Sequence, residues 1–251
     1  ASIIAGFVLL FALYHAAEYM IVFQQSASGF LAFQALFFTA AYFIGRWQFG
    51  NGLAAWGLGW SRKTLPQLLV GLLAGIALYA LTLTISRKLN SEIVVSIPSF
   101  ESIAGAFGLF VFGNFFSSFS EDVLTRGYLW KHFSGKISWQ LLLLISPLVY
   151  VLNHIYRLGD GMQTYIYLFL LGVLLLIPLL FTKSLWMTGG IHWAGNCTFY
   201  LTHELWKTET VTGHISPNYI LAFCLFDFSI LLLLVFRKGL GWHPDAAQHK
   251  P

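Results

Sequence analysis

The chain has few charged residues. Asp, Glu, Lys and Arg make up 10% of its 251 residues, whereas an ordinary soluble domain has about 25%. Cysteine is also scarce: Cys197 and Cys224 are the only two, and since both lie in apolar runs we expect them to behave as small hydrophobic residues that carry no information on the redox compartment. Hydrophobic residues account for 57% of the sequence. This composition is typical of a polytopic membrane protein and argues against a soluble enzyme.

Apolar runs divide the chain into about eight predicted helices, at roughly 20 residues for each crossing of the bilayer. They lie near residues 2–24, 29–47, 65–87, 101–133, 137–157, 162–182, 184–204 and 216–237. We therefore predict an all-α fold, a polytopic membrane bundle of about eight transmembrane helices, with residues 1–251 as a single integral-membrane domain.

Three of these segments allow finer predictions. The first run lacks a basic leader and a cleavage site, so we expect a retained helix. The fourth run is longer than a bilayer requires, so it tilts, projects into water or consists of two helices. The connector around Trp47, Trp56 and Trp60 is a candidate for a short amphipathic segment at the membrane interface.

The basic residues outside the helices favour an orientation with both termini in the cytoplasm. Nine then face the cytoplasm and four face the opposite side, in line with the preference of Lys and Arg for the inside. The cytoplasmic set is Arg46, Arg62, Lys63, Lys131, Lys136, Lys183, Arg237, Lys238 and Lys250, and the opposite set is Arg87, Lys88, Arg157 and Lys207. We expect a multi-pass protein of a prokaryotic inner membrane.

The same basic residues account for the formal net charge of +4. Lys and Arg do not cluster with interleaved aromatic residues, so the sequence predicts no nucleic-acid partner. The expected partners are the lipid bilayer and a membrane-associated peptide or protein substrate.

The most informative residues are the charges inside the fourth predicted helix, Glu121, Asp122 and Arg126. Charged groups at membrane depth are costly, so they need partners and indicate a functional site. Asp122 and Arg126 are four residues apart and can form an ion pair on one helix face. Glu121 points about 140° away from Arg126, so it is free to face a cavity.

Further polar residues follow helical spacing. Asn114, Ser117 or Ser118, and Glu121 recur on one face and predict a polar stripe along a water-filled cavity. His154 follows Tyr150 by four residues in a later helix.

The seventh predicted helix contributes His192 and Asn196, again four residues apart. The small pair Ala194-Gly195 between them predicts a close helix contact. The preceding Gly189-Gly190 allows a helix break or a tight turn.

This inventory suits the hydrolysis of a peptide bond, which needs a base that activates water and donors that stabilise the oxyanion. Glu121 is the candidate base, and His154 is the candidate for holding the water. His192 and Asn196 are candidates for the oxyanion donors.

Three motifs resemble those of the CAAX protease and bacteriocin-processing family, whose eukaryotic representative is the Ras-converting CAAX prenyl endopeptidase. The family pattern is Glu-Glu-x-x-x-Arg, then Phe-x-x-x-His, then His-x-x-x-Asn or Asp. The corresponding residues are Glu121-Asp122-x-x-x-Arg126, Tyr150-x-x-x-His154 and His192-x-x-x-Asn196. They lie within a motif-bearing core of about residues 101–204.

The resemblance implies a glutamate-type intramembrane protease with about eight helices. It makes Glu121 the catalytic glutamate, His154 its water-positioning partner, and His192 with Asn196 the oxyanion site. Asp122, Arg126, Tyr150 and Asn114 are then supporting residues.

Two motif positions differ from the family pattern. Asp122 replaces the second glutamate and shortens that side chain by one methylene. Tyr150 replaces phenylalanine, which keeps the ring and adds a hydroxyl that needs a buried partner.

Three alternatives stay open. Glu121, His154 and His192 are ordinary zinc ligands, so a zinc-dependent reaction is possible although we expect no cofactor. A non-catalytic bacteriocin self-immunity protein or peptide-binding membrane scaffold would share the fold. A proton-coupled transporter is a weaker possibility, since intramembrane acids and histidines also build proton relays.

Polar residues of membrane helices also have purely structural uses. His192 and Asn196 could serve only as polar contacts between helices. His15 and Glu18, three residues apart in the first helix, are expected to form a structural or cavity-lining pair.

Overall fold

The computed structural model of the chain describes residues 2–157 and 159–240. Its α-helices in this part of the chain are α1 (Ser2–Val22), α2 (Ala27–Phe49), α3 (Thr64–Lys88), α4 (Phe100–Asp122), α5 (Tyr128–Phe133), α6 (Trp139–Asn153), α7 (Met162–Thr182), α8 (Trp186–Phe199) and α9 (Pro217–Leu240). Short 3₁₀ segments cover Gly52–Trp56 and Ile155–Arg157, and π-helical segments cover Val123–Gly127 and Tyr200–Leu205.

The predicted all-α fold class is confirmed, and each predicted helix has a counterpart. A π-helical segment joins α4 to α5, so the fourth predicted helix is one continuous run of 34 residues, Phe100–Phe133, and not two separate helices. Six helical runs within the described residues are long and apolar enough to cross a membrane. The runs that fall short are α6, a shorter apolar helix of Trp139–Asn153, and α8, which has 14 residues before its π-helical extension.

A small antiparallel sheet was not predicted. Strand β1 (Glu92–Ser96) lies between α3 and α4, and β2 (Lys207–Thr210) lies between α8 and α9. Ile93 pairs with Glu209 across the two strands. The buried carboxylate of Glu92 lies 3.0 Å from Nε2 of His203, so a side-chain contact also connects the sheet to the π-helical segment that follows α8.

Small residues allow α3 and α8 to pack closely, as Ala194-Gly195 predicts. A Cβ atom on Gly75 of α3 would lie only 2.5 Å from the carbonyl oxygen of Ile191 and 3.0 Å from the backbone nitrogen of Gly195. Glycine is therefore required at this helix contact.

The predicted break at Gly189-Gly190 is wrong, because α8 runs without interruption from Trp186 to Phe199. These two glycines instead make room for neighbours. A side chain on Gly189 would collide with the ring of Phe119, and a Cβ on Gly190 would lie 2.7 Å from the carbonyl oxygen of Leu68.

The tryptophan-rich connector is divided between the core and the surface. Trp56 is completely buried, donates from Nε1 to the carbonyl of Ala41 at 2.8 Å, and stacks on Tyr128 with ring centroids 4.9 Å apart. The interfacial prediction is therefore wrong for Trp56, because its indole finds a buried partner. Trp47 and Trp60 are 71% and 80% exposed.

The helical bundle has two distinguishable ends. One, which we call the sheet end, contains the two strands, and there Phe23 also packs against Tyr156 with ring centroids 5.1 Å apart. The sheet end comprises connectors 23–26, 89–99, 154–157 with 159–161, and 206–216.

The opposite end, which we call the terminal end, contains residues 2 and 240. There the backbone nitrogen of Leu185 donates to the carbonyl of Gly57 at 2.9 Å, and Gln48 donates to the carbonyl of Ser2 at 3.3 Å. Its connectors are 50–63, 134–138 and 183–185.

Candidate active site

A polar cavity of about 280 Å³ lies between α3, α4, α6, α7, α8 and α9. Its lining is formed by Tyr79, Glu121, Tyr150, His154, Arg157, Tyr167, Leu168, Leu171, His192, Asn196, Phe199, Asn218 and Leu221. All four residues predicted to be catalytic are in this set. The three sequence motifs, which extend from Glu121 to Asn196, therefore meet at one cavity.

Glu121 lies in the last turn of α4 and is the central acid of the cavity. The Oε1 atom of Glu121 accepts a hydrogen bond from Nδ2 of Asn153 at 3.0 Å and lies 3.8 Å from Nε2 of His154. The other oxygen, Oε2, lies 3.5 Å from Nε2 of His192. Each carboxylate oxygen thus faces a different imidazole.

His154 is oriented by the end of α6, which stops at Asn153. The Nδ1 atom of His154 lies 2.8 Å from the carbonyl oxygen of Tyr150. A carbonyl can only accept, so Nδ1 holds the hydrogen and Nε2 is left to face Glu121. A separation of 3.8 Å is too long for a direct hydrogen bond, but both atoms face the cavity, where one water beside them could reach each.

Asp122 and Arg126 form the ion pair expected from their spacing, with Nη1 of Arg126 2.5 Å from Oδ1 of Asp122. Both side chains are fully buried. The same Oδ1 lies 3.2 Å from Nδ1 of His192, a contact that sequence spacing did not predict. Asp122 therefore fixes the orientation of a predicted oxyanion residue as well as anchoring Arg126.

His192 lies between two carboxylates, Asp122 at Nδ1 and Glu121 at Nε2. A neutral imidazole donates one hydrogen, so His192 can donate to only one of the two at a time. This arrangement suits a group that holds or passes a proton beside Glu121.

Tyr150 supports the site through its ring. The guanidinium carbon of Arg126 lies 4.3 Å from the ring centroid, and the ring of His154 packs edge-on at 4.7 Å. Both contacts use the aromatic face that tyrosine shares with phenylalanine, which explains how this substitution is accommodated.

The polar stripe predicted along α4 does not face a single cavity. Asn114 and Ser117 line a separate, mainly apolar groove of about 510 Å³, whereas Glu121 lines the polar cavity. The stripe is divided because α8 packs against it: Nδ2 of Asn196 lies 3.5 Å from Oδ1 of Asn114, and Trp193 donates to the carbonyl of Val111 at 2.8 Å. The single-cavity prediction is therefore wrong.

Sequence reasoning missed Asn153, which donates directly to Glu121. The available signal was its position, since it is a carboxamide at the end of an apolar helix and immediately precedes the motif histidine. Asn153 is 3% exposed, so its amide hydrogen bond is shielded from water.

The rim of the cavity also contains a cation that the motifs did not indicate. Arg157 donates from Nε to Oδ2 of Asp160 at 2.9 Å. Burial tends to lower the pKa of Arg157, but Tyr167 and Asp160 outweigh this and raise it above its ordinary value. Arg157 is therefore a permanent positive charge at the rim.

The residues considered as zinc ligands do not match a metal site in their present arrangement. In the described part of the chain, no group of three His, Cys, Asp or Glu residues is placed to hold a metal ion. The two histidines approach different oxygens of Glu121, at 3.8 and 3.5 Å.

Residues 103–198, the segment that contains all three motifs, match the family described as type II CAAX prenyl endopeptidase Rce1-like. The predicted family resemblance is confirmed over this segment. At a coarse level, the match supports a membrane-embedded protease. Comparison with curated proteins and with solved structures finds no significant match.

Proposed function

We propose that this protein is a glutamate-type intramembrane endopeptidase. The proposal rests on one observation above all: the carboxylate of Glu121 lines a polar cavity and presents each of its oxygens to the Nε2 atom of a different histidine. An acid placed between two imidazoles at membrane depth is costly to maintain, and proton transfer is the use that this arrangement fits.

In the proposed reaction, Glu121 takes a proton from a water molecule as the water oxygen attacks the carbonyl carbon of the peptide bond. His154 holds this water, which would lie in the cavity beside Nε2 of His154 and Oε1 of Glu121, within hydrogen-bond reach of both atoms. The carbonyl electron pair moves to oxygen and forms an oxyanion. Asn196 and His192 both line the cavity and stabilise that charge: Asn196 donates from its carboxamide, and His192 donates from Nε2 in its doubly protonated form, which also donates from Nδ1 to Asp122.

The second half of the reaction returns the proton. The carbon–nitrogen bond breaks, and Glu121 passes its proton to the leaving nitrogen, so that the enzyme is regenerated. Asn153 keeps the carboxylate of Glu121 in place throughout, through its hydrogen bond to Oε1. Asp122 and Arg126 act as positioning residues, because Asp122 holds the other nitrogen of His192.

The proposed substrate is a membrane-associated polypeptide cut close to the bilayer, such as a lipid-anchored, prenylated or leader- or tail-bearing protein. We further propose a prokaryotic inner membrane as the location, with both termini cytoplasmic. A non-catalytic peptide-binding scaffold with the same fold is the competing proposal.

The decisive experiment compares wild-type protein with Glu121→Gln. This variant keeps the size of the side chain and removes the base, so we expect cleavage to fall by at least 100-fold, the loss typical when a single catalytic group is removed. Glu101→Gln is the matched control, since Glu101 is an exposed glutamate in the first turn of the same helix.

The measurement is quantitative peptide analysis of membranes from cells that express each form. Uncut substrate should accumulate with Glu121→Gln and not with Glu101→Gln, while both variants unfold in detergent like the wild type. Identical peptide profiles for all three forms would contradict the protease and favour the scaffold.

A further inference from the structure

The lining of the active-site cavity shows from which end of the bundle it is reached. Arg157 belongs to the connector between α6 and α7, and its side chain is 45% exposed. Asn218 lies at the start of α9, directly after the connector from β2. The catalytic side chains lie deeper, with Glu121 7% exposed and His192 2% exposed. The cavity therefore opens at the sheet end.

A second cavity extends the first one in the same direction. It measures about 190 Å³ and shares Tyr79, Phe199, Asn218 and Leu221 with the active-site cavity. Its other walls include Glu92 of β1, Thr210 of β2 and His203. The active-site cavity that contains Glu121 thus continues into this second cavity, toward the two strands and away from the terminal end.

Basic residues are distributed unequally between the two ends. Eight of those in the described residues lie at the terminal end: Arg46, Arg62, Lys63, Lys131, Lys136, Lys183, Arg237 and Lys238. The sheet end has Arg87, Lys88, Arg157 and Lys207. Lys250, counted with the cytoplasmic residues in the sequence, lies outside the described residues.

Short connectors on the cytoplasmic side of a membrane carry an excess of Lys and Arg. The terminal end, with its connectors 50–63, 134–138 and 183–185, is therefore the cytoplasmic one. The sheet end then lies on the opposite side of the membrane, and the mouth of the active-site cavity lies with it.

We propose that the active site receives its substrate from the extracytoplasmic side of the membrane. The scissile bond then lies in a translocated segment of a membrane-anchored polypeptide, next to the outer face of the bilayer, and not in a cytoplasmic tail. The cleavage part of this proposal rests on the proposed protease function, whereas the direction of opening does not.

The direction of opening is tested by labelling single cysteines in a bacterial expression host. Thr212→Cys places a thiol at the sheet end and Ser134→Cys places one at the terminal end; both positions are exposed, and neither change alters the charges that determine orientation. The native Cys197 and Cys224 are buried, so the wild-type chain reports the background.

With a maleimide that does not cross membranes, we expect Thr212→Cys to react in intact cells with at least tenfold the signal of Ser134→Cys. Ser134→Cys should reach the same signal only after permeabilisation. The reverse pattern, or equal labelling of both in intact cells, overturns the proposal.

The side of cleavage is tested with the uncut proteins that accumulate in cells expressing Glu121→Gln. Their cut sites, defined by the peptides that only wild-type cells release, should lie in extracytoplasmic segments. Cut sites in cytoplasmic tails, prenylated or not, overturn the proposal. If no protein accumulates, the protease function fails, and the labelling result still decides on which side the cavity opens.

Discussion

Replacing Arg126 with methionine removes the cation of a completely buried ion pair and keeps an unbranched side chain about as long as the stem that carries the guanidinium. Asp122, also completely buried, would keep its negative charge beside that of Glu121. Among the ion pairs of the described residues, the contact with His192 would then be the one left to Asp122. Removing one partner of a buried ion pair typically costs about 3–5 kcal/mol, because the remaining charge is uncompensated.

A second contact would be lost with the guanidinium, which lies 4.3 Å from the ring centroid of Tyr150. Contacts of this kind contribute about 0.5–2 kcal/mol. Together the two losses come to about 3.5–7 kcal/mol, and relaxation of the helices recovers part of this. We therefore expect the free energy of unfolding of Arg126→Met to fall by about 3–5 kcal/mol.

The same substitution at Arg157 provides the control. Arg157 pairs with Asp160 at 2.9 Å, but the two side chains are 45% and 42% exposed. An exposed pair of this kind contributes about 0–1 kcal/mol. Arg157→Met should thus unfold almost like the wild type.

Both variants would be unfolded by titrating a denaturing detergent into mixed micelles, with loss of helix followed by circular dichroism. A loss below about 1 kcal/mol for Arg126→Met, or equal losses for both variants, would refute the assignment of Arg126 to a buried structural pair. The double variant Asp122→Asn/Arg126→Met should be more stable than Arg126→Met alone, since it no longer contains the orphaned charge.

Three further predictions concern other parts of the site and fold. Asn153→Ala should lower turnover by roughly 10-fold to 100-fold, because a hydrogen bond to a charged group contributes about 1.5–3 kcal/mol. Asn51→Ala, in the exposed connector at the terminal end, is the control, and equal turnover in both variants would remove Asn153 from the site. Gly75→Leu should lower the free energy of unfolding by about 1–3 kcal/mol, because the added side chain overpacks the contact with α8. Gly105→Leu, whose side chain would enter open space, is the control and should unfold like the wild type. Equal unfolding curves for the two variants would contradict the close contact between α3 and α8. Prolonged chelation of zinc should leave cleavage unchanged, and activity that disappears and returns with added zinc would overturn the metal-free reaction.

Much of the fold could be predicted from local patterns. In the described part of the chain, hydropathy located all eight helical runs, because helices in or against a bilayer are predominantly apolar. The pairing of Asp122 with Arg126 followed from helical spacing alone, since residues four apart share a face. The strands β1 and β2 escaped prediction because they are short and pair across more than 100 residues.

The residues of the candidate site could also be predicted only in part. The motifs identified Glu121, His154, His192 and Asn196, and the structure brings these residues to one cavity. Asn153 could not be assigned a partner from the sequence, because its contact with Glu121 depends on how α6 is rotated against α4.

The sequence by itself therefore determined the membrane environment, the number of helical runs and the residue types available for chemistry, since each depends on composition or on spacing within one helix. Only the tertiary structure decided which side chains meet. In the tertiary structure Asp122 contacts His192, Asn114 lies outside the cavity that Glu121 lines, and this cavity opens at the sheet end. Contacts between helices depend on their rotation and crossing, which no periodicity within a single helix specifies.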